Sequence, residues 1–152
     1  MKKIGLLVVD LQKGFYPSQE LVDAIDLERQ HHAVTIFTKF INSEESVFRK
    51  HLKWNGFGKG DDATDIILDT GNALILEKNG YGLTPEHIGM LKAFQCDGWE
   101  IAGVDSDSSV LACAFSVWDG GLACVVRRDL CESSMELHVE AMKVACRNFL
   151  PS

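Results

Sequence analysis

Residues 99–112 read Trp99-Glu100-Ile101-Ala102-Gly103-Val104-Asp105-Ser106-Asp107-Ser108-Ser109-Val110-Leu111-Ala112. An apolar run leads into small and acidic residues, and a helical pattern follows. This order predicts a buried strand that turns sharply into a helix, with Asp107 or Ser106 as the N-cap. Backbone N–H groups at a helix start have no partner inside the helix, so they are free to bind a ligand above the turn. The role of Ser109 in this turn therefore decides the function.

The rest of the chain alternates strand and helix patterns. Short apolar runs predict strands at residues 4–9, 33–40, 73–76, 99–104 and 122–126. Helical patterns lie between them, at residues 21–27, 43–54, 63–68, 84–94, 107–119 and 134–150. The continuous apolar run at 4–9 is typical of a central strand that is covered on both faces. The alternation predicts one α/β domain over residues 1–152, with a parallel sheet and helices on both faces.

Composition narrows the classes of partner. The chain has 152 residues, 15 Lys and Arg against 22 Asp and Glu, and a net charge of −7. This charge disfavours nucleic acid or an anionic membrane as the main partner and favours a small-molecule ligand. The five cysteines are odd in number and show no C-x-x-C spacing, so we expect reduced thiols in a cytoplasmic protein. The apolar run at 4–9 is too short for a signal peptide or a membrane span.

Polar side chains stand at the ends of several predicted strands. Asp10 follows the first strand, Lys78 the third, and Ser109 lies in the turn after the fourth. Ligands of parallel α/β sheets bind beyond the carboxyl ends of the strands, which predicts that these groups meet. A carboxylate beside an ammonium stays ionised and can exchange a proton, while the ammonium stabilises negative charge. The alternative is that Asp10 caps a turn and Lys78 is a solvated surface charge.

Three spaced segments carry a resemblance to a known family. Val8-Val9-Asp10-Leu11-Gln12-Lys13-Gly14-Phe15 resembles the opening motif of the isochorismatase-like cysteine hydrolases. Glu77-Lys78-Asn79-Gly80-Tyr81-Gly82 resembles their catalytic-lysine segment, and residues 103–110 resemble their nucleophile turn. The resemblance covers nearly the whole chain. It implies a Rossmann-like three-layer α/β/α sandwich with a mainly parallel sheet, and an Asp, Lys, Cys triad that hydrolyses C–N bonds through a thioester; a related branch hydrolyses vinyl ethers without the thiol.

The sequence departs from this family at the nucleophile, because Ser109 occupies the position of the cysteine. A hydroxyl is a far weaker acid than a thiol, and no histidine base lies nearby in sequence. Three interpretations stay open: noncovalent hydrolysis with Asp10 as the proton shuttle, a binding protein without chemistry, or an inactivated form of a cysteine hydrolase. Cys113 lies one helical turn beyond Ser109, and we expect it to be buried against the sheet.

The resemblance also implies an oxyanion site made by the N–H groups of Asp105 and Ser109, with a cis peptide bond between Val104 and Asp105. No metal ligands are expected, since residues 38–42 lack the Asp and His that the nicotinamidase branch carries after its second strand. The five histidines are interpreted as surface or helix-end residues. Aromatic side chains near the strand ends are candidates for an apolar substrate pocket, or else for the core: Phe15, Phe40, Trp54 and Tyr81.

These observations lead to one functional expectation. The chain is expected to be a cytoplasmic hydrolase of a small amide, carbamoyl or enol-ether compound, with Asp10 as acid and base, Lys78 as its electrostatic partner and Ser109 at the nucleophile position. No cofactor, nucleic acid or membrane is expected, and the resemblance implies a homo-oligomer. A catalytically silent protein that binds a small ligand in the same pocket is the alternative.

Overall fold

The computed structural model describes residues 2–151 of the chain. Its five strands are β1 (Ile4–Val9), β2 (Val34–Phe40), β3 (Ile75–Lys78), β4 (Gly98–Val104) and β5 (Cys124–Glu132). They form one sheet in the order β3-β2-β1-β4-β5, and every neighbouring pair is parallel. β1 is central, as its continuous apolar run predicts.

Five α-helices accompany the sheet: α1 (Gln19–Glu28), α2 (Val47–Leu52), α3 (Pro85–Ala93), α4 (Ser109–Asp119) and α5 (His138–Asn148). Local sequence explains where they begin. Ser18 caps α1 by accepting a hydrogen bond from the Leu21 N–H, and Thr84 caps α3 ahead of Pro85 at its first position. None of these helices combines the length and the apolar character needed to cross a membrane, within the part of the chain that is described.

Two core clusters lie on opposite faces of the sheet. Side chains of a strand alternate between its faces, so Leu6 and Val8 pack with α1, whereas Leu7 and Val9 pack with α3, α4 and α5. Burial of each such side chain contributes about 1.5–3 kcal/mol. The result is a helix layer, a sheet and a second helix layer. The expected three-layer α/β/α class is therefore confirmed.

Glycine is required at one position near the carboxyl ends of the strands. Gly103 in β4 has φ of +119°, and a Cβ there would lie 2.1 Å from the carbonyl oxygen of Val9. The two strands therefore approach so closely at their carboxyl ends that no side chain fits. This approach brings the end of β1 beside the turn that follows β4.

Several element boundaries differ from those predicted. β3 spans 75–78 rather than 73–76, so Lys78 is the last residue of the strand and does not follow it. β5 runs to Glu132, because Arg127 to Asp129 continue the strand although they are polar, and Cys131 therefore lies inside it. The helix expected at 63–68 is a 3-10 turn at Asp62–Thr64, and Ile66 then bridges to Gln12. The helices expected at 43–54 and 134–150 shorten to α2 and α5.

Candidate active site

A buried ion pair joins the ends of β1 and β3. Lys78 Nζ donates a hydrogen bond of 2.8 Å to Asp10 Oδ2, and the two side chains are 1% and 2% exposed. Lys78 Nζ also donates to the carbonyl oxygen of Gly80 at 2.9 Å and lies 5.6 Å from the centre of the Phe40 ring. Lys78 is thus no solvated surface charge. A buried charge needs a partner of this kind, because desolvation without one costs several kcal/mol.

The second oxygen of Asp10 is held by the neighbouring strand. Thr38 in β2 is fully buried, and its Oγ1 donates a hydrogen bond of 2.6 Å to Asp10 Oδ1. The same Oγ1 accepts the Asp10 backbone N–H at 3.0 Å. Both carboxylate oxygens therefore have a donor, which fixes the plane of the group.

A cavity of about 280 Å³ opens above Asp10. The turn after β4 contributes Val104, Asp105, Ser108 and Ser109 to its lining. The other lining residues, apart from Asp10 itself, are mostly aromatic or apolar: Phe15, Phe40, Phe48, Leu52, Trp54, Gly80 and Tyr81. The structure thus brings Asp10, Ser109 and the four aromatic candidates of the sequence analysis to one cavity, with Lys78 bonded to Asp10 beside it. Their catalytic and binding roles stay predictions.

Two backbone N–H groups are free at this cavity. Ser108 is the N-cap of α4, in place of the expected Asp107 or Ser106, and its side chain makes no capping hydrogen bond. Within residues 2–151, the N–H groups of Asp105 and Ser109 meet no hydrogen-bond acceptor. The peptide bond between Val104 and Asp105 is cis, as the resemblance implies. This arrangement can receive a developing negative oxygen at the positive end of α4.

The turn is held by the last residue of β5 and by the segment that follows this strand. The Ser106 N–H donates to the Glu132 carbonyl oxygen at 2.9 Å, and the Ser134 N–H and hydroxyl both donate to the Asp105 carboxylate. His138 places Nδ1 3.0 Å from Ser106 Oγ and Nε2 3.0 Å from the Arg128 carbonyl oxygen. His138 is the first residue of α5, as the expectation of a surface or helix-end histidine has it, and it also holds the turn through these contacts.

Asn42 closes the loop that carries Trp54. Its Nδ2 donates to the carbonyl oxygens of Trp54 and Gly56, both at 2.8 Å, and its Oδ1 accepts the hydroxyl of Ser46. Its own N–H donates to the Phe57 carbonyl oxygen at 2.8 Å. The ring of Trp54 consequently lies parallel to that of Phe40, at 7° and 5.7 Å between centres. The sequence analysis did not identify Asn42 or Thr38 as residues of the site. Each is a polar side chain inside or just after a buried strand, and this position is the signal that could have identified them.

The residues after β2 do not fit a metal ion. Phe40 packs among aromatic rings, and the Asn42 amide is fully engaged in hydrogen bonds. Among residues 2–151, the one group with metal-ligand spacing is Glu28, His32 and Glu100, near the amino ends of β2 and β4. Arg127 donates to both glutamates of that group, so it forms an ion-pair network. His32, a side chain only 4% exposed, belongs to this network and is not a surface residue.

Cys113 lies under the cavity rather than in it. It is fully buried in the core, and its Sγ is 3.5 Å from the Tyr81 carbonyl oxygen. Burial raises the pKa of Cys113 to about 12; Lys78 lowers that pKa and Asp10 raises it further. The thiol is neutral at physiological pH, so it cannot replace the missing nucleophile.

The similarity of this chain to known proteins lies in its structure. No protein-family model matches the sequence, and a search of curated proteins returned no match. The fold is similar to that of an isochorismatase-like hydrolase from Alkaliphilus metalliredigens, with a TM-score of 0.85 and 13% identity over 98% of this chain and 93% of that one.

Two amidases have similar structures. The pyrazinamidase of Pyrococcus horikoshii, solved in complex with zinc, gives a TM-score of 0.80 and 17% identity over 99% of this chain and 98% of that one. The N-carbamoylsarcosine amidase of Thermoplasma acidophilum gives a TM-score of 0.81 and 17% identity over 99% of this chain and 94% of that one. Identities this low establish the fold alone. The chain therefore has the fold of the isochorismatase-like hydrolases, as its three motifs predict.

Proposed function

We propose that this protein hydrolyses a small amide, carbamoyl or enol-ether compound in the cavity above Asp10. The observation that carries the proposal is the buried Asp10–Lys78 pair beside two free backbone N–H groups. A carboxylate and an oxyanion site in one mostly apolar cavity are what acyl transfer from nitrogen to water requires. Two of the similar structures are amidases, which supports the same class of reaction.

For an amide, the proposed reaction runs in two steps. Asp10 takes a proton from water as the water oxygen bonds to the carbonyl carbon, and the N–H groups of Asp105 and Ser109 bind the resulting oxyanion. Asp10 then returns that proton to the nitrogen, the C–N bond breaks, and a carboxylic acid and an amine leave. Lys78 donates a hydrogen bond to Asp10 and fixes its position. Ser109 supplies its backbone N–H, and its hydroxyl takes no part in the reaction.

The lining of the cavity favours an uncharged substrate. Lys78 is the cation that lies at the site, and its ammonium is already bonded to Asp10 and Gly80. No other Lys or Arg is among the described residues that line the cavity. A substrate carboxylate would enter an aromatic pocket without a counter-ion and lose its hydration there. We therefore expect uncharged amides and carbamoyl compounds to bind better than anionic enol ethers.

A panel of such compounds tests this function. Release of amine or acid by the natural Ser109 protein, lost in Asp10→Asn but kept in the exposed control Asp119→Asn, is the expected result. Ser109→Ala should then retain most of the rate, because water is the nucleophile. Turnover that appears only in Ser109→Cys would instead identify a thiol-dependent site that serine has silenced. No turnover and no binding by any of these variants would overturn the proposal.

Ser109 favours a second candidate function, which is binding without chemistry. A hydroxyl at a position where a thiol is expected removes the strong nucleophile and leaves the cavity and its N–H groups in place. Binding of a panel compound without turnover, in both the natural protein and Ser109→Cys, would support this candidate.

A further inference from the structure

Thr38 has a hydrogen-bonding pattern with a fixed direction. A hydroxyl has one hydrogen to donate and two lone pairs that accept. Because Thr38 Oγ1 already accepts the Asp10 backbone N–H at 3.0 Å, its hydrogen points to Asp10 Oδ1, only 2.6 Å away. Thr38 is fully buried, so no water competes for that hydrogen. Oδ1 is therefore a permanent acceptor.

The two oxygens of Asp10 are consequently each held by one donor. Oδ1 accepts one hydrogen bond, from Thr38, and retains a lone pair. Oδ2 accepts one hydrogen bond, from Lys78, and retains a lone pair. We propose that Thr38 is a positioning residue for this proton transfer: its hydroxyl fixes the Asp10 carboxylate in the orientation from which that group exchanges a proton with water and substrate. This inference rests on the proposed hydrolysis.

The proton balance is simple. The proton moves from the attacking water to the Asp10 carboxylate and then from that carboxylate to the leaving nitrogen, while Thr38 keeps its own hydrogen throughout. Without the Thr38 hydroxyl, the carboxylate could rotate away from the attacking water. The ionised form would also lose a donor that favours it.

Three variants test the role of Thr38 in turnover. Thr38→Val keeps the shape and removes the hydroxyl, Thr38→Ser restores the hydroxyl, and Thr35→Val makes the same change on the other face of β2. We expect kcat to fall about 10- to 100-fold in Thr38→Val with KM nearly unchanged, since proton transfer of this kind is worth about 10²–10⁴-fold. The acidic limb of the pH–rate profile should move to higher pH. Thr38→Ser should restore both values, and Thr35→Val should leave both unchanged.

Two results would overturn the proposal. One is an unchanged rate and pH profile in Thr38→Val; the other is failure of Thr38→Ser to restore them, which would make the methyl group the important part. If the natural protein turns over no compound, the proposed function fails separately. Thr38 is then judged in a Ser109→Cys background, from the pH dependence of thiol alkylation by iodoacetamide. Because Asp10 then takes up a proton more readily and repels a nearby thiolate less, Thr38→Val should lower the midpoint of that alkylation and Thr38→Ser should not, and an unmoved midpoint would again reject the role.

Discussion

Lys78 Nζ lies 2.8 Å from Asp10 Oδ2 with both side chains closed off from solvent, so neither charge can be removed alone without cost. Lys78→Met leaves a buried carboxylate unpaired, and we expect the free energy of unfolding to fall by about 3–5 kcal/mol. Asp10→Asn should also destabilise, since the ammonium then faces a neutral amide. Urea unfolding followed by circular dichroism measures both.

The double variant Asp10→Asn with Lys78→Met provides the decisive comparison. Because it leaves no isolated charge, its stability should exceed that of Lys78→Met alone. Strictly additive losses would show that the two charges do not interact.

A second prediction concerns the Trp54 wall of the cavity. Asn42→Asp keeps the shape of the side chain but has no N–H to donate to the carbonyl oxygens of Trp54 and Gly56. We expect the free energy of unfolding to fall by about 2 kcal/mol, and the Trp54 ring to become more accessible. Acrylamide quenching of fluorescence in a Trp118→Phe background measures that accessibility, because Trp99 is buried.

Asn148→Asp is the matched control for this change. Asn148 donates one exposed hydrogen bond within α5 and is remote from the cavity lining. Acrylamide quenching of Trp54 fluorescence in Asn148→Asp should equal that in the Trp118→Phe parent. Equal quenching in Asn42→Asp as well would show that Asn42 does not hold the wall.

The network around Arg127 predicts a pH-dependent stability. Burial raises the pKa of Glu100, but hydrogen bonds from His32 and Arg127 outweigh it and hold the pKa below its usual value. A lowered pKa in the folded state means that this stabilisation is present above the unfolded value, about 4.3, and is lost as the pH falls through the folded value. Glu100→Gln should therefore cost about 1 kcal/mol near neutral pH and less in acid.

Thermal unfolding between pH 3 and pH 7 checks this dependence, with the exposed Glu140→Gln of α5 as control. The gap between Glu100→Gln and the natural protein should narrow as the pH falls. A gap that stays constant would mean that Glu100 acts through packing and not through its charge.

The cysteines should react in an order set by burial. Burial raises the pKa of Cys113 and Cys124 to about 12 and also raises that of Cys131, so these thiols stay neutral and closed to reagent. We expect the exposed Cys146 to react first with a disulfide reagent at pH 8, and the half-buried Cys96 more slowly. Cys146→Ser should remove the fast phase, and denaturant should expose the rest. Fast reaction of Cys113 in the native protein would contradict this order.

Continuous apolar runs predict β1 and β4 closely, because strands that are buried on both faces need no polar residue. The ends of β3 and β5 lie outside the apolar runs, so this pattern does not predict them. Glu77 and Lys78 pair with β2 through their backbones although their side chains are charged, and β5 continues past Arg127 to Asp129 on the edge of the sheet. Edge strands tolerate such residues since one side has no neighbour.

For the site, the rule that ligands bind at the carboxyl ends of parallel strands is enough to predict that Asp10, Lys78 and Ser109 meet. Thr38 and Asn42 were beyond that rule. A polar side chain inside or just after a buried strand marks both positions, but their importance arises from hydrogen bonds to groups 28 and 12–14 residues away, and a local pattern does not identify such partners.

The hydrogen bonds from residues 132–138 to the turn at 105–108 have a consequence for synthesis of the chain on the ribosome. The turn leaves the ribosome before residues 132–138, which hold it in place. β1, β2 and β4 can already pair at that stage, yet the floor of the cavity has no support. The site is thus completed only once residues 132–138 have been synthesised, and a fragment that stops before β5 ends would carry Asp10, Lys78 and Ser109 without the geometry that relates them.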